Sequence, residues 1–211
     1  EISCSLVGSE MCIRDSNNTR IYCGVIIDNT YLYMGTDNGI LVYNYRADRY
    51  EQPETDFPTD VRTMALQGDT LWLGALNGLY TYQLQSRKLT SFDTRRNGLP
   101  HNTIYSIIRT RDNQIYVGTY NGLCRYIPSN GKFEGIPLPV HSSQSNLFVN
   151  SLLEDTVRQC IWIGTEGYLF QYFPSTGQMK QTEAFHNNSI KSLALDGNGD
   201  LLACLLYTSD A

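Results

Sequence analysis

The phrase WIGTEGYL, Trp162 to Leu169, is the last of a series that also contains YMGTDNGI from Tyr33, WLGALNGL from Trp72 and YVGTYNGL from Tyr116. Aligned on their first glycines, Gly35, Gly74, Gly118 and Gly164, the copies lie 39, 44 and 46 residues apart. The agreement runs on past the phrase. Ile40, Leu79, Leu123 and Leu169 follow at one common offset, Tyr43, Tyr82, Tyr126 and Tyr172 at a second, and Tyr50, Leu89, Phe133 and Met179 at a third. Matching at several offsets marks an internal repeat, and its period of about 40–45 residues is that of a propeller blade.

Each copy reads as short strands separated by turns. In the second, VRTMALQ, TLWLGA, GLYTYQL and KLTSF are divided by GDT, by Asn77 and by Gln85 to Arg87. The third repeats the order with TIYSIIR, QIYVGT, GLCRYI and KFEGI, using RDN and SNG as turns. Four antiparallel strands per repeat make one blade, and strands apolar on both faces are buried only by stacking on neighbouring blades. The expected fold is all-β, a partial β-propeller of about four and a half blades. Its blades fall at 20–52, 61–92, 103–136 and 148–182, with a half blade at 189–203. Leucine-rich horseshoes have shorter repeats, and a β-sandwich needs no such regular phrase.

The turn inside the phrase differs among copies. Asn38-Gly39, Asn77-Gly78 and Asn121-Gly122 predict type I′ hairpins, whereas Gly167-Tyr168 predicts a type II′ turn with the strand register unchanged. The first glycines stand inside strands, where glycine is a net cost. Their recurrence implies a close approach, with an aromatic neighbour crossing the blade as the favoured partner, or a bulge.

With 16 Lys plus Arg against 21 Asp plus Glu, the net charge of −5 disfavours nucleic-acid binding and a polybasic membrane patch. No run of about 20 apolar residues offers a membrane span, so no membrane contact is expected of this segment. The six cysteines form no CxxC pair and no metal-ligand spacing. The opening EISCSLVGSEMCIRDS and the closing CLLYTSDA resemble translated sequencing-adapter remnants, so 1–16 and 204–211 are read as non-native flanks of a 17–203 propeller fragment.

The third unit, NGLPHNTIYSIIRTRDNQIYVGTYNGLCRYIPSNGKFEGI, resembles the two-component regulator propeller repeat almost throughout. SLLEDTVRQCIWIGTEGYLFQYFPSTGQMKQ and TLWLGALNGLYTYQ carry the same resemblance, with departures at Ala75 and Tyr168 and in the shorter first unit. The resemblance implies a periplasmic sensor region of a membrane-bound hybrid two-component regulator of Bacteroidetes. That region would respond to oligosaccharides without catalysis and pass the signal through a homodimer partner. Any histidine kinase activity would lie outside this chain, and no cofactor is implied.

Binding specificity is then expected from loops. The loops between second and third strands, together with the interblade segments PETDFPTD, DTRRNGLPHN and PLPVHSSQSN, are expected at one end of the blades. Arg95, Arg96, Tyr120, Asn121 and Glu166 are the candidate sugar contacts there, since aromatic, amide and charged groups stack on and hydrogen-bond a sugar. Gly35, Gly74, Gly118, Gly164, Gly39, Gly78, Gly122 and Gly167 are structural marks of the repeat. His101, His141 and His186 share the repeat period, and no metal site is expected of them. DGNGD, Asp196 to Asp200, departs from a calcium loop and reads as a hairpin tip. Asn17 and Asn187 meet a glycosylation pattern only trivially. GxSxG, HExxH and GxGxxG are absent. Glu154-Asp155 and Asp56 with Asp60 leave open a carbohydrate-active propeller enzyme, and a protein-docking propeller is the other alternative.

Overall fold

The computed structural model describes residues 19–51, 53, 55–139, 147–182 and 188–206. The flank 1–16, His141, His186, Asn17 and Asn187 lie outside the described residues. Blade 1 consists of β1 (Ile21–Ile27), β2 (Tyr31–Thr36), β3 (Gly39–Asn44) and β4 (Arg49–Glu51). Blade 2 contains β5 (Val61–Gln67), β6 (Thr70–Ala75), β7 (Gly78–Gln83) and β8 (Leu89–Phe92), followed by the short helix α1 (Thr94–Asn97). Blade 3 is β9 (Ile104–Arg109), β10 (Ile115–Thr119), β11 (Gly122–Ile127) and β12 (Lys132–Ile136). Blade 4 is β13 (Val149–Asp155), β14 (Cys160–Thr165), β15 (Leu169–Phe173) and β16 (Gln178–Thr182), and β17 (Ser189–Leu195) pairs with β18 (Leu201–Leu206). Every four-stranded sheet keeps chain order across its width. β18 extends past Ala203, because the apolar run Leu201 to Leu206 continues the ladder with β17.

The chain divides into two compact units, 1–93 with 102–104 and 94–101 with 105–211. In the first, Ile40 and Val42 of blade 1 form one core with Val61, Leu71, Leu73 and Tyr82 of blade 2. In the second, Tyr116 and Leu123 of blade 3 pack with Val149, Ile161, Ile163 and Phe170 of blade 4. Cys160, Trp162 and Leu169 pack instead with Ile190 and Leu193. Alternate residues of β14 therefore face different neighbours, so the whole strand is buried. This is why the second strand of a repeat reads apolar at nearly every position.

The strand register matches expectation: Gly35 opposes Ile40, Gly74 opposes Leu79, Gly118 opposes Leu123 and Gly164 opposes Leu169. The turn types do not. In blade 1 the two loop residues are Asp37 and Asn38, and only Gly39 beyond them takes a left-handed φ, of 114°. Blade 3 repeats this with Gly122 at 102°. The reason is a threonine clasp. The Thr36 hydroxyl donates to Gly39 O at 3.0 Å and accepts from the Asn38 N–H at 3.1 Å, and Thr119 does the same for Gly122 and Asn121 at 2.9 and 3.1 Å. A side chain that closes the turn itself removes the need for two left-handed residues.

Blade 4 is not type II′ either. Neither Gly167 nor Tyr168 has positive φ, and three residues separate β14 from β15. Thr165 nevertheless clasps this loop, donating to Tyr168 O at 3.0 Å and accepting from Tyr168 N–H at 3.0 Å. Blade 2 has Ala75 at the clasp position, and there the hydroxyl of Thr103 caps Leu76 O at 3.0 Å.

The first glycines meet small and β-branched side chains, not the aromatic neighbour expected. A Cβ on Gly35 would stand 2.6 Å from Cys23 Sγ and 2.9 Å from Val61 Cγ1, and on Gly118 it would stand 2.3 Å from Ser106 Oγ and 2.5 Å from Val149 Cγ1. Each glycine thus admits a small residue of its own first strand and a β-branched residue beginning the next blade. A flat ring could not reach so deep between paired strands.

Candidate functional site

The second unit brings one set of sequence-selected residues into contact. Tyr120, in the β10–β11 turn, has its ring centroid 4.1 Å from that of Phe148, which directly precedes β13. The His101 ring lies 4.9 Å from that of Tyr120, and the Tyr105 ring of β9 lies 6.1 Å from that of Phe148. All four rings are half-buried. The loop and strand backbones are joined as well, since Gly122 N–H donates to Leu147 O at 3.2 Å. Asn121 projects beside this group, exposed, with its own N–H held by Thr119.

Two residues beyond Phe148, Asn150 opens a polar cluster around Glu166. One carboxylate oxygen, Oε2, accepts from Asn150 Nδ2 at 3.1 Å, from Ser189 Oγ at 2.9 Å and from Lys191 Nζ at 3.2 Å. Partial burial pushes the Glu166 carboxyl up. The three hydrogen bonds and the Lys191 charge outweigh that, so it is held below the usual carboxylate range. Its side chain remains 42% exposed, so a molecule in solvent can reach it. Lys191 and Glu166 compensate each other, and the cluster carries no net charge.

Arg95 and Arg96 are placed elsewhere. They are exposed on α1, and α1 leads to the far end of blade 3: Asn97 Nδ2 donates to Gly131 O at 3.2 Å, in the turn between β11 and β12. In an antiparallel sheet that turn is opposite the one carrying Tyr120. The interblade segment therefore does not stay at the expected end. It descends the outer edge of blade 3 and returns, so that only its last residues, around His101, reach the aromatic group. Phe148, Asn150, Ser189 and Lys191 were missed by loop-based reasoning because they begin inner strands. A signal for them was nonetheless present in the polar or aromatic residues interrupting otherwise apolar strand starts.

Two carboxylates of blade 4 stand apart. Asp155 ends β13 and Glu166 follows β14, so they lie at opposite ends of blade 4. Asp155 is fully buried. Burial pushes its carboxyl up, but bonds from the Arg158 backbone and side chain and from Trp162 Nε1 hold it low, so both groups favour the ionised form. Glu154 accepts the Arg111 N–H, and Asp60 pairs with Arg62 at 3.2 Å. Among the described residues no His, Cys, Asp and Glu group has the arrangement of a metal site. In the Asp196–Asp200 turn, Asp196 Oδ1 accepts from the N–H groups of Asn198 and Asp200 at 2.9 and 2.8 Å, which is a self-capped hairpin tip.

Comparison with known proteins agrees with this architecture. The model of the two-component regulator propeller family matches residues 98–121. A solved extracellular domain assigned to a hybrid two-component system of B. thetaiotaomicron is 92% identical, with a TM-score of 0.88, over 94% of this chain and 26% of that one. The chain thus spans about a quarter of that domain. The extracellular domain of another hybrid two-component system from the same organism is 18% identical, with a TM-score of 0.74 over 88% of this chain and 26% of its own, and shares the fold. Virginiamycin B lyase of Staphylococcus aureus, 14% identical, shares it with a TM-score of 0.65 over 89% of this chain and 64% of its own. No curated protein matches the sequence. Among the described residues no helix is long and apolar enough to cross a membrane.

Proposed function

We propose, from the match of residues 98–121 to the two-component regulator propeller model and the likeness of the chain to a quarter of an extracellular domain, that it takes part in sensing an oligosaccharide in the periplasm and does not transform it. The observation that carries the reading is the Tyr120–Phe148 ring pair placed next to the Asn150–Glu166–Lys191 cluster. Aromatic faces pack against the C–H faces of a sugar, and adjacent fixed acceptors and donors orient its hydroxyls. Because Lys191 is matched by Glu166, the face favours an uncharged sugar chain over a uronate or sulphated one.

Arg95 and Arg96, on the outer edge, contribute to such a site only through a ligand long enough to cross blade 3. Signalling would follow if an occupied site biased how two copies of the complete domain pair, with the kinase or other output lying outside this chain.

Calorimetric titration of the chain with defined neutral and acidic oligosaccharides tests the reading. Saturable binding, weakened by Phe148→Ala and Tyr120→Ala without product formation, is expected. Release of shorter sugars would favour the carbohydrate-active enzyme. Failure to bind any sugar, with a stable dimer in solution, would favour the docking role.

A further inference from the structure

The same kind of triplet stands at the start of β1, β5, β9 and β13 and one residue into β17: Ile21-Tyr22-Cys23, Val61-Arg62-Thr63, Ile104-Tyr105-Ser106, Val149-Asn150-Ser151 and Ile190-Lys191-Ser192. The flanking members are constrained by packing. The small third residue lies against the first glycine of its own blade, as Cys23 does on Gly35, Thr63 on Gly74, Ser106 on Gly118 and Ser151 on Gly164. The β-branched first residue lies against the glycine of the preceding blade, as Val61 does on Gly35, Ile104 on Gly74, Val149 on Gly118 and Ile190 on Gly164. Neither constraint touches the middle residue.

In blades 1, 2 and 4 and in the β17–β18 pair the ladder steps over that middle residue. Register shifts fall between Ile21 and Cys23, Val61 and Thr63, Val149 and Ser151, and Ile190 and Ser192. A bulge of this kind leaves one residue outside the pairing and re-aims its side chain. In the second unit, the re-aimed Asn150 and Lys191 converge on Glu166 Oε2 from two successive first strands. In the first unit, Arg62 carries its guanidinium 3.8 Å from the centroid of the Tyr22 ring, with its Nε buried and unbonded.

We propose that the middle residue of this triplet is the ligand-reading position of each blade, and that Asn150 and Lys191, beside Tyr105, determine which sugar the second unit accepts. This rests on the carbohydrate reading above. The packing explains why this position can do so: Tyr, Arg, Tyr, Asn and Lys occupy it in turn while the residues on both sides keep their class, so side-chain chemistry changes there without disturbing blade stacking. The groups on offer suit hydroxyls. Among the described residues nothing bonds to Glu166 Oε1 or Asn150 Oδ1, leaving two acceptors, and the Lys191 ammonium keeps donors beyond the one it gives Glu166.

The test exchanges residue types between blades. Asn150→Tyr and Lys191→Asn each introduce a residue that another blade carries at the equivalent place. The 211-residue chain and both variants are titrated with manno-, xylo-, cello- and galacto-oligosaccharides and a uronate-bearing disaccharide, with melting temperatures recorded alongside. The expected result is a changed order of affinities, by about tenfold for at least one sugar, at an unchanged melting temperature. An unchanged order, or a uniform loss accompanied by a lowered melting temperature, overturns the reading role while leaving sugar sensing in place. If the parent chain binds none of the sugars, sugar sensing itself falls and takes this assignment with it.

Discussion

Gly164 of β14 and Ile190 of β17 are in such close contact that a Cβ on Gly164 would stand 2.6 Å from Ile190 Cγ2 and 2.4 Å from Ser151 Oγ. Both obstacles are rooted in paired strands, so neither can withdraw freely. Gly164→Ala is therefore expected to destabilise the chain by about 1–3 kcal/mol, as overpacking of a close-packed core does. Gly167→Ala is the matched control, since nothing lies within 4 Å of a Cβ there and its φ is not positive. Urea unfolding of the pair should show a lowered midpoint for the first and little change for the second.

Gly122 separates backbone strain from crowding. Its φ is 102°, and nothing lies within 4 Å of a Cβ at that position. Gly122→Ala should cost about 1–2 kcal/mol through the backbone alone. Thermal unfolding checks this, and a neutral effect would mean that the turn relaxes to the non-left-handed form that blade 4 uses around Tyr168.

The threonine clasp in blade 4 should be measurable by removing the hydroxyl. Thr165→Val keeps a β-branched shape but abolishes the bonds to Tyr168 O and N–H. A loss of about 1–2 kcal/mol is expected for two net hydrogen bonds. Ala75→Thr in blade 2 should recover little, because Thr103 already caps Leu76 O in that blade.

Asp155 makes blade 4 sensitive to acid. Its buried carboxylate accepts from the N–H groups of Val157 and Arg158, from Arg158 Nη1 and from Trp162 Nε1, at 2.8–3.1 Å. Its folded pKa is lowered, with burial acting in the opposite direction. The stability it contributes is thus complete above its unfolded pKa of about 3.9 and is lost as pH falls through the folded value. Asp155→Asn should lower stability at neutral pH and flatten the acid limb of a stability-against-pH curve. An acid limb of unchanged steepness would argue against this role.

Thiol reactivity should divide by burial. Burial pushes the Cys23 thiol up to about 12, against a smaller opposing bond from the Gly35 backbone. Burial also raises Cys124, and raises Cys160 with help from the Asp155 charge. Cys204 is exposed on β18. In mildly alkaline iodoacetamide, site-resolved mass spectrometry should find Cys204 alkylated and Cys23, Cys124 and Cys160 protected until the chain unfolds.

The sequence by itself determined the four-strand repeat, the order of strands and their register. All of these are periodic properties: Gly164 and Leu169 occupy fixed offsets, and a one-residue slip would take Gly164 out of the close approach of Ser151 and Ile190 and set a larger side chain there. It also marked Tyr120, Asn121 and Glu166 as turn residues worth attention. Only the tertiary structure decided how the turns close, because the Thr36, Thr119 and Thr165 hydroxyls act across residues whose conformations local propensity alone would assign to type I′ in blades 1 and 3 and to type II′ in blade 4. Only it revealed that α1 carries Arg95 and Arg96 down the outer edge of blade 3, a path set by the Asn97–Gly131 bond. It alone joined Asn150, Ser189 and Lys191 to Glu166. Ser189 and Lys191 belong to the repeat after the one that holds Asn150 and Glu166, and no periodic signal within one repeat records which side chain of the next blade will reach it.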